Sequence, residues 1–318
     1  MHRRALEVLA CPECALPFTE ISSSSETLEA GTLRCRYGHE FEIASGIPLL
    51  VQESDLPRVR AYANSYAPTW AKDGWGCPDP DYLMNLPYRD VTRRRAAEWR
   101  VKARSMEAVF RVLDPRTCRR VVDLGSGVGW LSHRLATRGH EVYAVDAVLD
   151  ETVGLGAAGA YLQAGPPFER VWGELHRPPF RSSIVDAVVC NASLHYARDL
   201  SIALREIARI LRPGGLVAIL NSPVHINRAS AARAESDFRA HLRNLGATEG
   251  VVSTYHHFTR SQLESDVRAA IGTVHEIRFD SGRWFRWSRR LKGLALRMEL
   301  ASFPILTVTK RELGLPTS

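Results

Sequence analysis

Residues 121–130 read Val-Val-Asp-Leu-Gly-Ser-Gly-Val-Gly-Trp and constrain this chain more than any other stretch. Two β-branched residues close a buried strand, an acid follows, and glycines fall at every second position before a helical pattern begins. Glycine permits a sharp strand-to-helix turn and lets a ligand come against the main chain. A second strand ends at Val145-Asp146, at the distance downstream where a carboxylate can receive ribose hydroxyls. Together these features predict a crevice for an adenosine-containing cofactor; taken alone, the glycines also fit a tight turn with no ligand.

The spacing separates two kinds of cofactor. A pyrophosphate-binding loop has G-x-G-x-x-G, with its third glycine close to the helix start. Here Gly125, Gly127 and Gly129 form D-x-G-x-G-x-G, which resembles motif I of the class I S-adenosylmethionine-dependent methyltransferases. Downstream, Arg170–Glu174 reads as a short strand ending in an acid, and His176-Arg-Pro-Pro-Phe180 as a turn. Ile184–Asn191 is the near-continuous apolar run of a strand buried on both faces. Leu200–Leu211 has helical periodicity, stops at Arg212-Pro-Gly-Gly215, and is followed by a strand at Leu216–Leu220. Residues 119–222 as a whole resemble the branch of that family with ubiquinone- and menaquinone-type methyltransferases.

The resemblance implies an α/β fold: a Rossmann-like seven-stranded sheet, mostly parallel with one antiparallel strand. It implies S-adenosyl-L-methionine as cofactor, with Asp123 under the glycine turn near the methionine ammonium. Gly125, Ser126 and Gly127 would bring main chain to the ligand, Asp146 with Ala147 would take the ribose, and Glu174 with Leu175 the adenine. The family more often has aspartate at position 174. Asn191 would end the fourth strand below the transferring methyl, and His195 is the candidate general base. In many relatives a histidine at this place only shapes the pocket. His256 and His257, before a helix over 259–271, are weaker candidates.

Cys11-Pro-Glu-Cys14 and Cys35-Arg-Tyr-Gly-His39 give C-x2-C, a long loop, then C-x3-H. Two ligands per knuckle at this spacing suit one tetrahedral zinc, and four protein ligands make the ion structural. A redox C-x-x-C would need a thioredoxin-like βαβ context, which is absent here. The flanking residues 6–14 and 41–50 resemble the small zinc-ribbon family that activates certain methyltransferases as a separate subunit. They also resemble the ribbon fused ahead of some ribosomal-RNA guanine methyltransferases. Serines 22–25 are expected at the loop tip.

The expected organisation is a zinc ribbon over 1–53, a linker and N-terminal helical lid over 54–118, and a class I methyltransferase domain over 119–318. That domain would carry helical insertions near 226–246 and 283–303. Residues 54–90 hold many turn formers and read as an irregular segment that either folds over the site mouth or packs as a connector with no ligand contact. Tyr62, Tyr66 and Trp70, with Tyr196 after the fourth strand, are candidate acceptor contacts. Residues 89–104 carry seven basic residues against two acidic, on the pattern of an amphipathic helix with a solvated face. In 283–303, Trp284, Trp287, Leu291, Leu294 and Met298 share one helical face among basic residues. Core packing, an acceptor or dimer face, and contact with a membrane surface or RNA all remain open for it.

Of 318 residues, 45% are hydrophobic and 24% charged, ordinary for a globular chain. The net charge of +7 favours anionic partners without selecting one. No stretch has the length of a membrane span, and the N-terminus lacks a secretory apolar segment, so a cytoplasmic protein is expected. Three functions compete: methyl transfer to a small-molecule or lipid-like acceptor, RNA methylation with ribbon and basic helices holding the nucleic acid, and a non-catalytic cofactor-binding module acting through a partner. Asn-Ala-Ser-Leu-His195 replaces the Asn-Pro-Pro-Tyr of enzymes that methylate exocyclic amino groups of bases, which argues against that chemistry. The sequence leaves the oligomeric state open.

Overall fold

The computed structural model describes residues 1–21, 25–277, 287, 293 and 299–311. Residues 22–24 of the expected loop tip at 22–25, and most of the basic segment 283–303, therefore lie outside the described residues. The chain begins with a four-stranded antiparallel meander: β1 (Phe18–Ile21), β2 (Gly31–Cys35), β3 (Glu40–Ala44) and β4 (Ile47–Pro48). Three helices follow, α1 (Leu56–Lys72), α2 (Pro80–Asn85) and α3 (Ala96–Val109). Residues 56–72 were expected to be irregular; they form a helix instead. Val59, Tyr62, Tyr66 and Trp70 recur at helical spacing on one face, and this periodicity outweighs Pro57, which sits in the first turn, and Pro68.

An alternating α/β sequence then builds the main sheet. It runs β5 (Arg120–Leu124), α4 (Trp130–Thr137), β6 (Glu141–Asp146), α5 (Gly159–Ala164), β7 (Glu169–Trp172), β8 (Val185–Asn191), α6 (Leu200–Ile210) and β9 (Leu211–Leu220). A short β10 (Val224–His225) leads to α7 (Arg228–Asn244) and α8 (Glu249–Val252). The described part closes with β11 (Phe258–Thr259), α9 (Arg260–Ala270), β12 (Gly272–Ile277) and β13 (Ile305–Lys310). The seven strands lie in the order β12-β13-β9-β8-β5-β6-β7, with β13 antiparallel to both neighbours and the other pairs parallel. This is the expected fold class.

Strand alternation sorts the core into two layers. Val122, Leu124, Tyr143 and Val188 face α6 and α9, while Val121, Val142, Ala144 and Val189 face the side of α3, α4 and α5. Strand order reverses between β5 and β8, and open α/β sheets take ligands at the carboxyl ends of strands beside such a reversal. Over those ends lies a cap: α1, α7 and α8 pack through Ala67, Trp70, Leu242 and Val252. Ser65 Oγ accepts from Thr248 N at 2.9 Å, tying α1 to the start of α8.

The N-terminal meander is not a detached module. Leu33, Phe41, Ile43 and Leu50 share a core with Val145, Val171 and Phe180 of the main domain. Leu49 forms an isolated parallel bridge with Trp172, and Leu50 N donates to Trp172 O at 2.9 Å, so the meander docks on the outer edge of β7.

Candidate active site and metal centre

Gly125 and Gly127 both take left-handed backbone, with φ of 78° and 55°. At Gly125 a Cβ would stand 2.3 Å from Ser193 Cβ, so the turn after β5 closes against the segment after β8 only with glycine there. At Gly127 a Cβ would meet only Val153 O at 3.8 Å; its glycine answers to backbone conformation and leaves open space beside the main chain. Asp146 ends β6 and holds this turn: its Oδ2 accepts from Gly127 N at 2.7 Å and its Oδ1 from Val148 N at 2.9 Å. Burial raises the Asp146 carboxyl to about 6 against the pull of those backbone donors.

Asp123 lies one layer deeper. Its Oδ2 accepts from Ser132 Oγ at 2.7 Å, while Oδ1 is buried with no partner, as is Ser126 Oγ. Burial raises this carboxyl to about 7, with Asp146 adding in the same direction. Orphaned polar atoms beside an open glycine cradle are what a ligand bearing ammonium and hydroxyl groups would satisfy.

Two cavities meet at this turn. One, about 500 Å³, runs past Asp146, Ala147, Glu174 and Leu175 under Tyr62. The other, about 440 Å³, is walled by Trp70, Trp75, Trp99, Trp130 and Phe238 and reaches Ser126, Asn191 and His195. Gly125, Gly127, Tyr66, Ala192 and Tyr196 border both. The predicted residues thus converge, but on two sides: Asp146, Ala147, Glu174 and Leu175 on the first, Ser126, Asn191 and His195 on the second. Asp123 borders neither cavity, and so sits beneath the turn rather than in the wall. Glu174 is taken up by α1: Arg58 Nη2 donates to both its oxygens, at 2.9 and 2.8 Å.

The four aromatic candidates form one stack. Tyr62 and Tyr66 ring centroids are 5.4 Å apart, Tyr66 and Trp70 5.6 Å, and Tyr196 meets Tyr66 edge-on at 5.7 Å. Several members of the wall escaped the sequence reading: Trp75, Trp99 and Trp130 in a chain of edge contacts at 5.7 Å, and Phe238 of α7 stacked on Tyr255 at 4.2 Å. Left-handed backbone at the non-glycine residues Ala192 and Asn221, just past β8 and β9, marks the same floor. Asn221 donates to Asn191 Oδ1 at 2.8 Å and to Ser105 Oγ of α3 at 2.9 Å, fixing the Asn191 amide.

His195 is buried among the Tyr196 and Tyr255 rings, its Nδ1 3.2 Å from Ser222 Oγ. Burial holds its basicity well below the ordinary histidine value, with His257, Lys102 and His256 adding to the effect. The ring is neutral at pH 7 and serves there as a hydrogen-bonding group. His256 and His257 lie behind it, with His257 Nδ1 2.8 Å from His225 Nε2.

Cys11, Cys14, Cys35 and His39 form the second centre, their ligand atoms all within 4.8 Å of one another. Cys14 and Cys35 sulfurs are 3.7 Å apart, and His39 Nδ1 is 3.3 Å from Cys35 Sγ and 3.6 Å from Cys11 Sγ. A tetrahedron with metal–sulfur bonds near 2.3 Å has edges of about 3.8 Å, so three thiols and an imidazole fit around one ion. The first knuckle also reaches the main domain: Arg177 donates to Pro12 O, and to Glu13 O at 3.0 Å.

The family described as "Methyltransferase domain" matches residues 122–219, the stretch that holds the glycine turn, Asp146, Glu174, Asn191 and His195. The chain carries a methyltransferase domain. An uncharacterized methyltransferase of Mycobacterium tuberculosis is 37% identical over 106 residues, 33% of this chain and 41% of that protein. The malonyl-[acyl-carrier protein] O-methyltransferase of Erwinia pyrifoliae is 33% identical over 106 residues, 32% and 37% of the two chains. The chain spans about two fifths of the length of the curated relatives it matches. Among solved structures, a complex between the Haloferax volcanii Trm112 methyltransferase activator and a methyltransferase matches with TM-score 0.50 and 16% identity, covering 80% of this chain and 99% of that one. That likeness extends the shared fold past the methyltransferase domain. Among the described residues no helix is long and apolar enough to cross a membrane.

Proposed function

We propose that this protein is an S-adenosylmethionine-dependent methyltransferase acting on a small-molecule or lipid-like acceptor, of the branch that includes quinone methyltransferases. One observation carries the reading: a glycine-walled crevice ending at an acid opens directly into a separate aromatic cavity, with Tyr66 and Tyr196 at the junction. That is the layout for a donor and an apolar acceptor meeting head to head.

S-adenosylmethionine, when bound, supplies a methyl on a sulfonium that a nucleophile can displace in line. The chain's own part is alignment and exclusion of water. In this reading the Gly125–Gly127 backbone and Ser126 receive the amino-acid end, with Asp123 acting on the ammonium from beneath the turn through water; Asp146 with Ala147 takes the ribose, and Leu175 with the Arg58-held Glu174 borders the adenine. Asn191, steadied by Asn221, borders the methyl. His195, neutral, offers a ring nitrogen for hydrogen bonding beside the acceptor, while Tyr62, Tyr66, Trp70 and Tyr196 close over both ligands. Cys11, Cys14, Cys35 and His39 hold a structural zinc ion. The aromatic wall of the second cavity suits a compact apolar acceptor better than an RNA strand, and the free cysteines suit the reducing cytoplasm.

Calorimetry with S-adenosylmethionine and its demethylated product tests the core of the proposal. Micromolar binding is expected; no binding of either overturns the enzymatic reading. Metal analysis of freshly purified protein tests the ribbon: near one equivalent of zinc is expected, and less than half an equivalent overturns that assignment. Binding without turnover across a panel of quinols, phenols and acyl thioesters would leave the non-catalytic reading standing instead.

A further inference from the structure

Helix α3 brings into the aromatic cavity one cation, Lys102, that among the described residues has no carboxylate in direct contact. Lys102 Nζ stands 4.4 Å from the Trp75 ring centroid and 4.8 Å from that of Trp99. The other ionised side chains of this wall are tied to one another, two carboxylates on one guanidinium, and their excess negative charge reaches Lys102 only at a distance, from Glu98. Arg95 pairs with Asp73 at 2.6 Å and Glu98 sits 3.5 Å from Arg95, while His241, outside the wall, adds a contact to Asp73 at 2.9 Å. Glu98 is one turn before Lys102 on the same helix, the usual place for a partner, yet it faces Arg95. Among the described residues, Lys102 Nζ has no hydrogen-bond acceptor and no carboxylate within 4.0 Å. Two indole faces stabilise a cation only weakly compared with an oxyanion. Burial lowers the ammonium to about 8, with Glu98 pulling the other way, so it is still mostly charged at pH 7.

The cavity holding this charge has about 440 Å³, aromatic walls, and Asn191 and His195 in its lining. We propose that the acceptor is an anion: a planar or apolar body that lies among the aromatic side chains and presents one oxyanion, carboxylate or ionised hydroxyl, to Lys102. Lys102 is thus a specificity-determining residue of the second cavity. This deepens the methyltransferase reading and rests on it, since it names the class of acceptor for that same site. It also gives the unmatched cation and the depressed basicity of His195 a joint sense: an acceptor that arrives ionised needs no strong base.

The test uses a matched pair of probes, 2-naphthoate and the neutral 2-naphthamide, titrated into the full-length protein saturated with S-adenosylhomocysteine. Trp75 and Trp99 flank the ammonium, so quenching of tryptophan fluorescence reports occupancy. Naphthoate is expected to bind at least tenfold more tightly than the amide in the native protein. The Lys102→Met variant should bind both equally, and Lys102→Arg should restore most of the preference. S-adenosylhomocysteine affinity, read by calorimetry, should stay within about twofold in both variants, which separates failure of this inference from failure of the cofactor assignment. Equal binding of the two probes by the native protein overturns the proposal. So does a preference that survives in Lys102→Met, or absence of binding by either probe at millimolar concentration.

Discussion

The two cavities are built on opposite principles. The crevice at the glycine turn is made by backbone and by acids that end consecutive strands: Gly125 and Gly127 after β5, Asp146 at the end of β6, Glu174 just past β7. The aromatic cavity draws its wall from α1, α3, the start of α4, α7 and the segments after β8 and β9, and reaches from Tyr66 to Phe303 along the chain. A site made by local backbone has little freedom to change, because its glycines answer to φ and to close approach. A site made by side chains from many elements can be rebuilt residue by residue while the sheet stays as it is. The first specifies the donor in this reading; the second chooses the acceptor.

Substitutions can break this comparison at graded strength. Gly125→Ala should cost most, about 3 kcal/mol of stability in urea denaturation, because it adds both left-handed strain and a clash with Ser193. A loss below about 1 kcal/mol would mean the turn is looser than described. Asp146→Ala should weaken S-adenosylmethionine binding about 100-fold by calorimetry, the cost of two charge-assisted hydrogen bonds.

Acidity gives a smaller effect with a defined sign. Asp146 and Asp123 hold their protons up to about 6 and about 7, above the ordinary carboxylate range, so the native state binds more protons than the unfolded chain between pH 4 and these values. Stability of the empty protein should therefore fall as pH rises through that window and level off above it. A bound ligand carrying ammonium and sulfonium charges favours the ionised carboxylates, so binding must release protons. S-adenosylmethionine affinity should rise about tenfold from pH 5.5 to pH 8, read by calorimetry across the range.

Removal of metal from the Cys11, Cys14, Cys35 and His39 cluster should be felt at the adenine end, because Arg177 links the first knuckle to the segment that carries Glu174. Chelation is expected to lower cofactor affinity about threefold to tenfold together with thermal stability. Phe238→Leu should be mildest, shifting cofactor affinity by about twofold at most and stability by ~1 kcal/mol, since this ring stacks on Trp70 and Tyr255 in the acceptor half alone. A large loss of cofactor affinity in that variant would erase the division between the halves.

The same division explains what the sequence could reveal. The sheet was legible because buried strands read as apolar runs, as in Val185–Asn191, and because Val145-Asp146 ends its strand with a polar residue that has work to do at the edge. Cys11, Cys14, Cys35 and His39 were legible because ligand spacing is local within each knuckle. Trp75, Trp99, Lys102 and Phe238 were not, since nothing in their neighbourhoods distinguishes a cavity wall from ordinary core; only the packing of α3 and α7 over the strand ends makes them neighbours. Helix α1 was hidden for a different reason. The turn formers scattered over 54–90 masked its periodicity, although a proline in the first turn of a helix, as at Pro57, costs little. At Arg212–Gly215 the turn residues interrupt β9 as a bulge between the Val185–Leu211 and Ala187–Leu216 pairings, so the strand begins earlier than its apolar run.

Leu50 donating to Trp172 means that the cysteine-bearing meander shields the outer flank of β7. An unshielded flank is a template on which another copy can add its own strand. Under the proposed zinc assignment, cells short of zinc should therefore lose this protein to clumping, with the dissolved remainder binding cofactor more weakly, and a truncated chain beginning near residue 54 should be recovered mainly as insoluble material.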